Sequence, residues 1–472
     1  MGKAERSISY KWAAVSVVAV GAFISTLDVG VIRIALPHLG HVFQAAPDTV
    51  VWVWLIKFFI GTSLMLTLGR AGDAFGRKKL FILGLLISSL GLGLCSLAQG
   101  LLQLVIFRLV QAIGDAMTIA IGNAIITTSF PSEERGKVLG IIVAVAGVGA
   151  LSGPALGGFL LDLFGWRSIF YARLPFGIAG VTMAWALLKE QSSPRREEKF
   201  DLSGAVALFF TLTCLLLAVN RGQSLGWTSP WVAGLGAMSM LSLFFFLAVE
   251  QRAAQPVLDL RLFRSRLFSI ASASHVFLYM SSAAISFLTP FYLIQGLRFS
   301  ASKAGLLLVT IPAISVVLSL VSGRLSDKKG TRFLCSSGLM LIALGMLLLG
   351  NLGTDTAIGN VVLCLIIVGV GLGLFDSPNT SAIMGAVPRE RLGTASALVG
   401  TLRQAGMSFG LAITGTIFTT RQIFHATQLT SQGLTEDMLQ KISTVNGFHD
   451  TILAMLATAL IGLVISVLRG RR

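Results

Sequence analysis

Gly69-Arg-Ala-Gly-Asp73-Ala-Phe-Gly76-Arg77-Lys78-Lys79 follows one long apolar segment of this chain, and Gly323-Arg-Leu-Ser-Asp327-Lys-Lys-Gly330-Thr-Arg332 follows another. Both read G-R-x-x-D-x-x-G-x-(K/R), and they lie 254 residues apart. A second pair of loops, Pro131-Ser-Glu-Glu-Arg135-Gly136 and Pro388-Arg-Glu-Arg391-Leu-Gly393, recurs at a spacing of 257 residues. Two matched loops at nearly one spacing imply a chain built from two similar halves. In the first loop the glycines permit a tight turn. Asp73 is placed to accept from backbone N–H groups or to pair with a nearby arginine.

The segments between these loops read as membrane helices. Of 472 residues, 54% are hydrophobic and 12% charged, and mean hydropathy is +0.82. A soluble domain is about a quarter charged, so the polar surface for several soluble domains is missing. A spanning helix needs about 20 apolar residues. Fourteen segments qualify: 12–36, 50–68, 80–98, 101–129, 137–161, 168–188, 202–220, 230–249, 268–296, 303–323, 333–350, 357–386, 394–420 and 450–468. The matched loops follow helices 2 and 10, and helices 4 and 12, so helices 7 and 8 are an insertion. The expectation is an all-α membrane protein with a six-helix bundle over 1–190, a linker and two extra transmembrane helices over 191–266, and a second six-helix bundle over 267–472. Such repeats place a substrate site between halves, near the bilayer midplane. The basic start and uninterrupted first apolar stretch predict a retained first helix, not a signal peptide. Thr435 to Ile442 is expected to form a short capped surface helix.

Charge fixes the orientation. With 37 Lys+Arg and 21 Asp+Glu the net charge is +16. Loops on the side of the termini hold 26 basic and 12 acidic residues, a net +14; the opposite loops hold six of each. That asymmetry is the positive-inside signature, which predicts cytoplasmic termini held against anionic inner-leaflet lipids. No nucleic-acid partner is needed to explain the excess. The four cysteines (Cys95, Cys214, Cys335, Cys364) have no paired spacing and read as small packing residues.

A net +2 remains inside the apolar runs, where each charge is costly and marks function by default. Helix 4 carries Arg108, Gln111 and Asp115 on one face. Asp28 lies about 24 Å along helix 1 from Trp12, still within the membrane. Arg33 is five residues further, about 140° round the helix, so the two are not direct partners. Lys57, Arg173, Asp376 and Arg403 complete the set. Helix 5 carries Gly149-Ala-Leu-Ser-Gly153-Pro154-Ala-Leu-Gly157-Gly158, a small-residue stripe with a proline kink.

These strings resemble one family. The repeated loop resembles the helix 2–3 signature of the major facilitator superfamily. The helix-5 string resembles its antiporter motif, and Arg108-x-x-Gln111-x-x-Gly114 its helix-4 motif. Leu27-Asp28-Val-Gly-Val-Ile-Arg33-Ile-Ala-Leu-Pro37, Trp166-Arg167-Ser-Ile-Phe170-Tyr171-Ala-Arg173-Leu-Pro175-Phe-Gly177 and Arg403-Gln404-x-Gly406 are similar to strings of its fourteen-helix drug–proton antiporters. The resemblance implies an antiporter in which Asp28, Arg108 and Asp115 couple protons. It also implies that Gly69, Asp73, Gly76, Arg77, Asp327 and Gly330 form a cytoplasmic gating loop. Gly149, Gly153, Pro154, Gly157 and Gly158 would line the seam that limits leak. Arg33, Lys57, Gln111, Arg173, Asp376 and Arg403 become candidates for substrate contact. Arg33, Lys57, Arg173, Asp115 and Asp376 depart from the family pattern, and their excess positive charge would favour an anionic or zwitterionic substrate.

No G-x-x-x-x-G-K-(S/T) phosphate loop, nucleophile elbow or carboxylate metal box appears. His38-Leu-Gly-His41 lacks a third ligand. The expected protein is therefore no enzyme and carries no cofactor or metal. It is a monomer of the cell membrane that uses a proton gradient to export small amphipathic molecules. The rivals are an exporter of anionic, zwitterionic or lipid-like substrates and, further off, a non-transporting membrane scaffold or sensor. A fluorescent protein fused after Arg472 should mature in cells, and a periplasmic phosphatase at the same site should stay inactive; the reverse pattern would invert the topology.

Overall fold

A computed structural model describes residues 2–130, 132–189, 202–226, 228–252, 260–387, 392–430 and 434–469. Among them every regular element is a helix. In chain order the long ones are α1 (Gly2–Val42), α2 (Trp52–Phe75), α3 (Arg77–Ser96), α4 (Leu101–Ser129), α5 (Ser132–Phe164) and α6 (Leu174–Leu187). Then follow α7 (Leu202–Leu225), α8 (Pro230–Arg252), α9 (Arg266–Phe291), and α10 in two pieces, Ala301–Leu308 and Thr310–Lys329. The chain closes with α11 (Thr331–Leu349), α12 (Ile358–Gly385), α13 (Leu392–Thr430) and α14 (Glu436–Val467). Among the described residues twelve helices are long and apolar enough to cross a membrane. The two expected segments outside that set, 202–220 and 394–420, also fold as helices. In α7 the apolar stretch is confined to Val206–Val219, and α13 is made more polar by Arg403, Gln404 and its serines and threonines.

Several boundaries differ from the expected ones, each for a local reason. Thr435 does cap a helix, its hydroxyl accepting from the Met438 N–H. That helix is no separate surface element, because it runs on without a breaker as the first turns of α14. The expected helix 6 is split into a single turn, Ser168–Tyr171, and α6, with Arg173 at the junction. α10 breaks at Val309. Pro312 has no N–H to offer the Leu308 carbonyl four residues back. Trp54 and Trp166 are buried, Trp54 against Phe58 and Trp166 against Phe43 and Phe170.

The repeated loops are built alike. Gly76 and Gly330, 254 residues apart, have φ of 98° and 78°. Each ends one helix and starts the next, its N–H reaching back to Gly72 O at 3.2 Å and Ser326 O at 2.9 Å. Left-handed backbone of that kind favours glycine, which explains the repeat at these two positions. The side chains of Asp73 and Asp327, and residue Gly69 with its surroundings, lie outside the described part of the structure.

Helices α1–α6 pack among themselves, chiefly α1 on α5, α2 on α4 and α3 on α4. Helices α9–α14 do the same through α9 on α13, α10 on α12 and α11 on α12, while α7 and α8 pair with each other. The two groups meet through α5 on α10 and α2 on α13. The start of α1 and the ends of α6 and α14 share one end of the bundle: Tyr10 Oη donates to Lys189 O (3.3 Å), and Arg266 at the head of α9 donates to Leu468 O (3.4 Å).

The α5–α10 contact lies toward the opposite end. There the Asp162 carboxylate accepts from the Ala301 and Ser302 N–H groups at 3.2 and 2.7 Å, capping α10, where the helix dipole favours an anion. Arg33 of α1 donates to the stranded Leu308 carbonyl at 3.4 Å, so it is a bridge to α10. Towards the end that carries the termini, Val143 of α5 and Val317, Leu320 and Val321 of α10 are exposed.

The helix-5 stripe makes this close packing possible. A Cβ at Gly153 would sit 2.8 Å from the Gly30 Cα and the Leu27 carbonyl, and one at Gly157 would sit 2.9 Å from the Val31 Cα. Gly149 faces Thr26 and Gly158 faces Ala301. Pro154 presents its carbonyl to Gly305. Substitution Gly153→Ala should therefore force backbone apart and cost about 1–3 kcal/mol. Gly234→Ala, where a Cβ meets nothing within 4 Å, should leave stability unchanged; thermal unfolding in detergent checks the contrast.

Candidate functional site

Six polar side chains from four parts of the chain converge inside α1–α6. Asp28 comes from α1, Lys57 from α2, Arg108, Gln111 and Asp115 from α4, and Arg173 from the junction before α6. None is more than 5% exposed. Arg108 grips Asp28 with both terminal nitrogens, Nη1 to Oδ1 at 2.8 Å and Nη2 to Oδ2 at 3.0 Å. Gln111 Nε2 donates to Oδ1 at 3.1 Å, and Arg173 Nη1 also donates to Oδ1. Lys57 Nζ donates to Asp28 Oδ2 (3.0 Å), Asp115 Oδ2 (2.7 Å) and the Ser25 carbonyl (2.9 Å).

The supporting groups come from α2, α3 and the turn before Arg173. Arg108 Nε is held by Val53 O at 3.0 Å and Arg173 Nε by Ile169 O at 2.6 Å. Ser88 of α3 donates to Asp115 Oδ1 at 2.6 Å. Gly114 lets α3 approach closely enough for this, since a Cβ there would sit 2.5 Å from the Gly84 carbonyl oxygen. Each ion taken from water costs several kcal/mol, which only such dense pairing offsets.

The expected sites sort themselves accordingly. The proton-coupling trio Asp28, Arg108 and Asp115 is one cluster, with Arg108 on Asp28. Arg108 and Asp115 do not neutralise each other along α4, because Asp115 is taken by Lys57 and Ser88. Lys57, Gln111 and Arg173, expected as candidates for substrate contact, belong to the same cluster. Lys57 is buried among carboxylates and does not reach an interface. Arg33 stands apart at the α1–α10 bridge.

Asp376 and Arg403 lie in a second cluster, among α9–α14. Tyr279 Oη donates to Asp376 Oδ1 at 2.9 Å, and the exposed Arg403 lies over the Tyr279 ring at 5.3 Å. One turn along α9, His275 Nδ1 is 3.3 Å from the Asn379 amide. Asn379 is also met by the guanidinium of Arg469, whose Nη1 donates to Cys335 Sγ at 3.4 Å. The sequence reading missed His275, Tyr279, Asn379 and Arg469. Arg469 lies near the chain end, yet only 1% of it is exposed. The signal for the others was present: His275 and Tyr279 stand one helical turn apart inside an apolar run, as do Asp376 and Asn379. The four cysteines are free and buried, as their spacing implied.

A bundle of long apolar helices enclosing polar clusters is the architecture of a membrane transporter, and the comparisons agree. The Major Facilitator Superfamily model matches residues 18–411, and the chain belongs to that family. It is 33% identical over 409 residues to the riboflavin transporter RibZ of Clostridioides difficile, covering 86% of this chain and 88% of that protein. It is 31% identical over 405 residues to the multidrug resistance protein Stp of Mycobacterium tuberculosis, covering 84% and 74%. Among solved structures it matches a bacterial homolog of the human lysosomal transporter Spinster in its inward-facing, unoccupied conformation. That match has a TM-score of 0.72 and 18% identity over 98% and 97% of the two chains. The protein is a multi-pass membrane transporter and not an enzyme.

Because Asp28 is fully buried amid three cations, Asp28→Asn should strand them and lower unfolding stability by about 3–5 kcal/mol. Asp437→Asn, which breaks a solvent-exposed pair with Arg298, should not shift the thermal midpoint measurably.

Proposed function

We propose that this protein is a proton-coupled secondary active exporter, an antiporter of small amphipathic molecules that works by alternating access. The observation that carries the reading is the Asp28 cluster. Five charged side chains with a net charge of +1 sit out of water where α1, α2, α4 and α6 meet. A scaffold gains nothing from so costly an arrangement, whereas a proton-driven transporter needs a buried charge that can change by one. Multidrug-resistance relatives support the substrate class, and the relative named for riboflavin, a planar molecule with a polar tail, lies within it.

In this reading the chain makes fourteen spans with both termini cytoplasmic. Two six-helix halves, 1–190 and 267–472, flank an inserted pair over 191–266. The protein sits in the cell membrane as a monomer against anionic inner-leaflet lipids. It draws on the proton gradient and has no cofactor and no nucleic-acid partner. The α5–α10 seam, closed by Asp162, Arg33, Pro154 and Gly158 at the end away from the termini, fits a state open to the cytoplasm. The loops at Asp73 and Asp327 act as cytoplasmic latches. Asp376, Tyr279 and Arg403 then face the substrate path.

A second reading, export of anionic, zwitterionic or lipid-like substrates, is favoured by the surplus positive charge of the cluster together with Arg33 and Arg403.

Proteoliposomes carrying an imposed pH gradient should move riboflavin or ethidium against its concentration gradient, and a protonophore should abolish the effect. Asp28→Asn should lose it. Wild-type protein that ignores the gradient with both substrates would refute proton coupling.

A further inference from the structure

The reading above leaves open which atom of the Asp28 cluster carries the proton. We propose that it is Lys57 Nζ, with Asp28 and Asp115 serving as permanent counter-anions. The inference rests on the proton-coupled reading and refines it.

The argument is one of donors and charges. Asp28 accepts from Arg108 twice, and once each from Arg173, Gln111 and Lys57. A proton added to this carboxyl would have to displace one of those donors. It would also raise the cluster from +1 to +2 in a medium where each unpaired charge costs several kcal/mol. Adding it to Asp115 would do the same, against donors from Ser88 and Lys57. The guanidiniums of Arg108 and Arg173 do not release protons in proteins. Lys57 is the remaining group. Loss of its proton takes the cluster from +1 to zero, leaving two carboxylates against two guanidiniums.

The geometry matches that role. An ammonium has three hydrogens, and Lys57 finds three acceptors, all within 3.0 Å: Asp28 Oδ2, Asp115 Oδ2 and Ser25 O. The structure is therefore that of the loaded carrier. The charged and titratable groups around Lys57 come from α1 (Asp28), α4 (Arg108, Asp115) and the α6 junction (Arg173), with the neutral Ser88 of α3 behind Asp115. Among the described residues no ion pair joins Lys57 to α7 or α13, which also pack on α2. Deprotonation frees one of the three acceptors and loosens the side chain by which α2 reaches Asp28 of α1 and Asp115 of α4. That is the movement a gating step requires. In the cycle, R–NH3+ gives R–NH2 and a proton to cytoplasmic water as substrate binds, and regains the proton from outside as substrate leaves.

The test uses the full-length protein in proteoliposomes, with riboflavin and ethidium as probes and two readouts: gradient-driven transport, and substrate counterflow without a gradient. Lys57→Arg keeps the charge and the donors but cannot release a proton; Lys57→Gln mimics the unloaded amine. Both should lose gradient-driven transport by about tenfold or more, a loss several-fold larger than any fall in counterflow. Asp28→Asn should lose both activities. Gradient-driven transport surviving in either lysine variant overturns the proposal, and so does loss of counterflow in both, which would make Lys57 structural. Infrared difference spectra between acid and alkaline pH add a substrate-free arm. No protonated-carboxyl band that disappears in Asp28→Asn or Asp115→Asn is expected, and such a band would place the proton on a carboxylate. If wild-type protein shows counterflow but no gradient response, proton coupling itself fails, a result distinct from either variant outcome.

Discussion

A carboxylate carried into the dry centre of a helical bundle must find its counter-charges there, and Asp28 finds Arg108, Arg173 and Lys57. Much else in α1–α6 follows from satisfying that one group. Arg108 can grip it bidentately because it lies on the face of α4 that also presents Gln111 and Asp115. Arg173 reaches it because the chain breaks its helix before α6. Lys57 bridges to Asp115, which in turn is held by Ser88 through the close α3–α4 approach at Gly114. Ion pairs of this kind are expensive to assemble and more expensive to break singly. They therefore hold the relative positions of four helices more tightly than apolar contact with lipid-like neighbours would.

The seam between the two groups of helices uses a different physics. Between α5 and α10 there is little charge and much backbone. Glycines on both sides let carbonyls and Cα atoms approach, Asp162 caps the α10 N-terminus, and Arg33 answers the carbonyl that Pro312 leaves without a donor. Contacts of this type gain from van der Waals fit and a few polar bonds. They can be made at one end of the seam while the other stays apart. The contrast between an ion-paired interior and a small-residue seam is what the proposed alternating-access cycle asks of a structure.

Much of this was legible in the residue order because the bilayer restricts the options so strongly. Apolar runs of spanning length had to be helices. The glycines of the repeated loops had to sit where the backbone turns left-handed, and Gly76 and Gly330 do. Asp28, Arg108 and Asp115 stood out because charge inside an apolar run needs a reason. What stayed hidden also shares a cause. That Lys57, Arg173 and Gln111 meet at Asp28 cannot be read from spacing along one helix, which says nothing about which neighbour a side chain meets. Arg469 lies near the chain end, and its burial depends on Asn379 and Cys335 from other helices.

By itself, then, the sequence determined the class of solvent, the helical segments, the duplication and the presence of buried charge. These are local properties, set by hydropathy, glycine conformation and the cost of a charge in lipid. Tertiary structure decided the pairing: that three cations share Asp28, that Arg33 spans to α10, and that Tyr279 and Arg403 meet Asp376. Those outcomes depend on which helix faces lie against each other, and helix packing is a property of the assembled surfaces that no single segment contains.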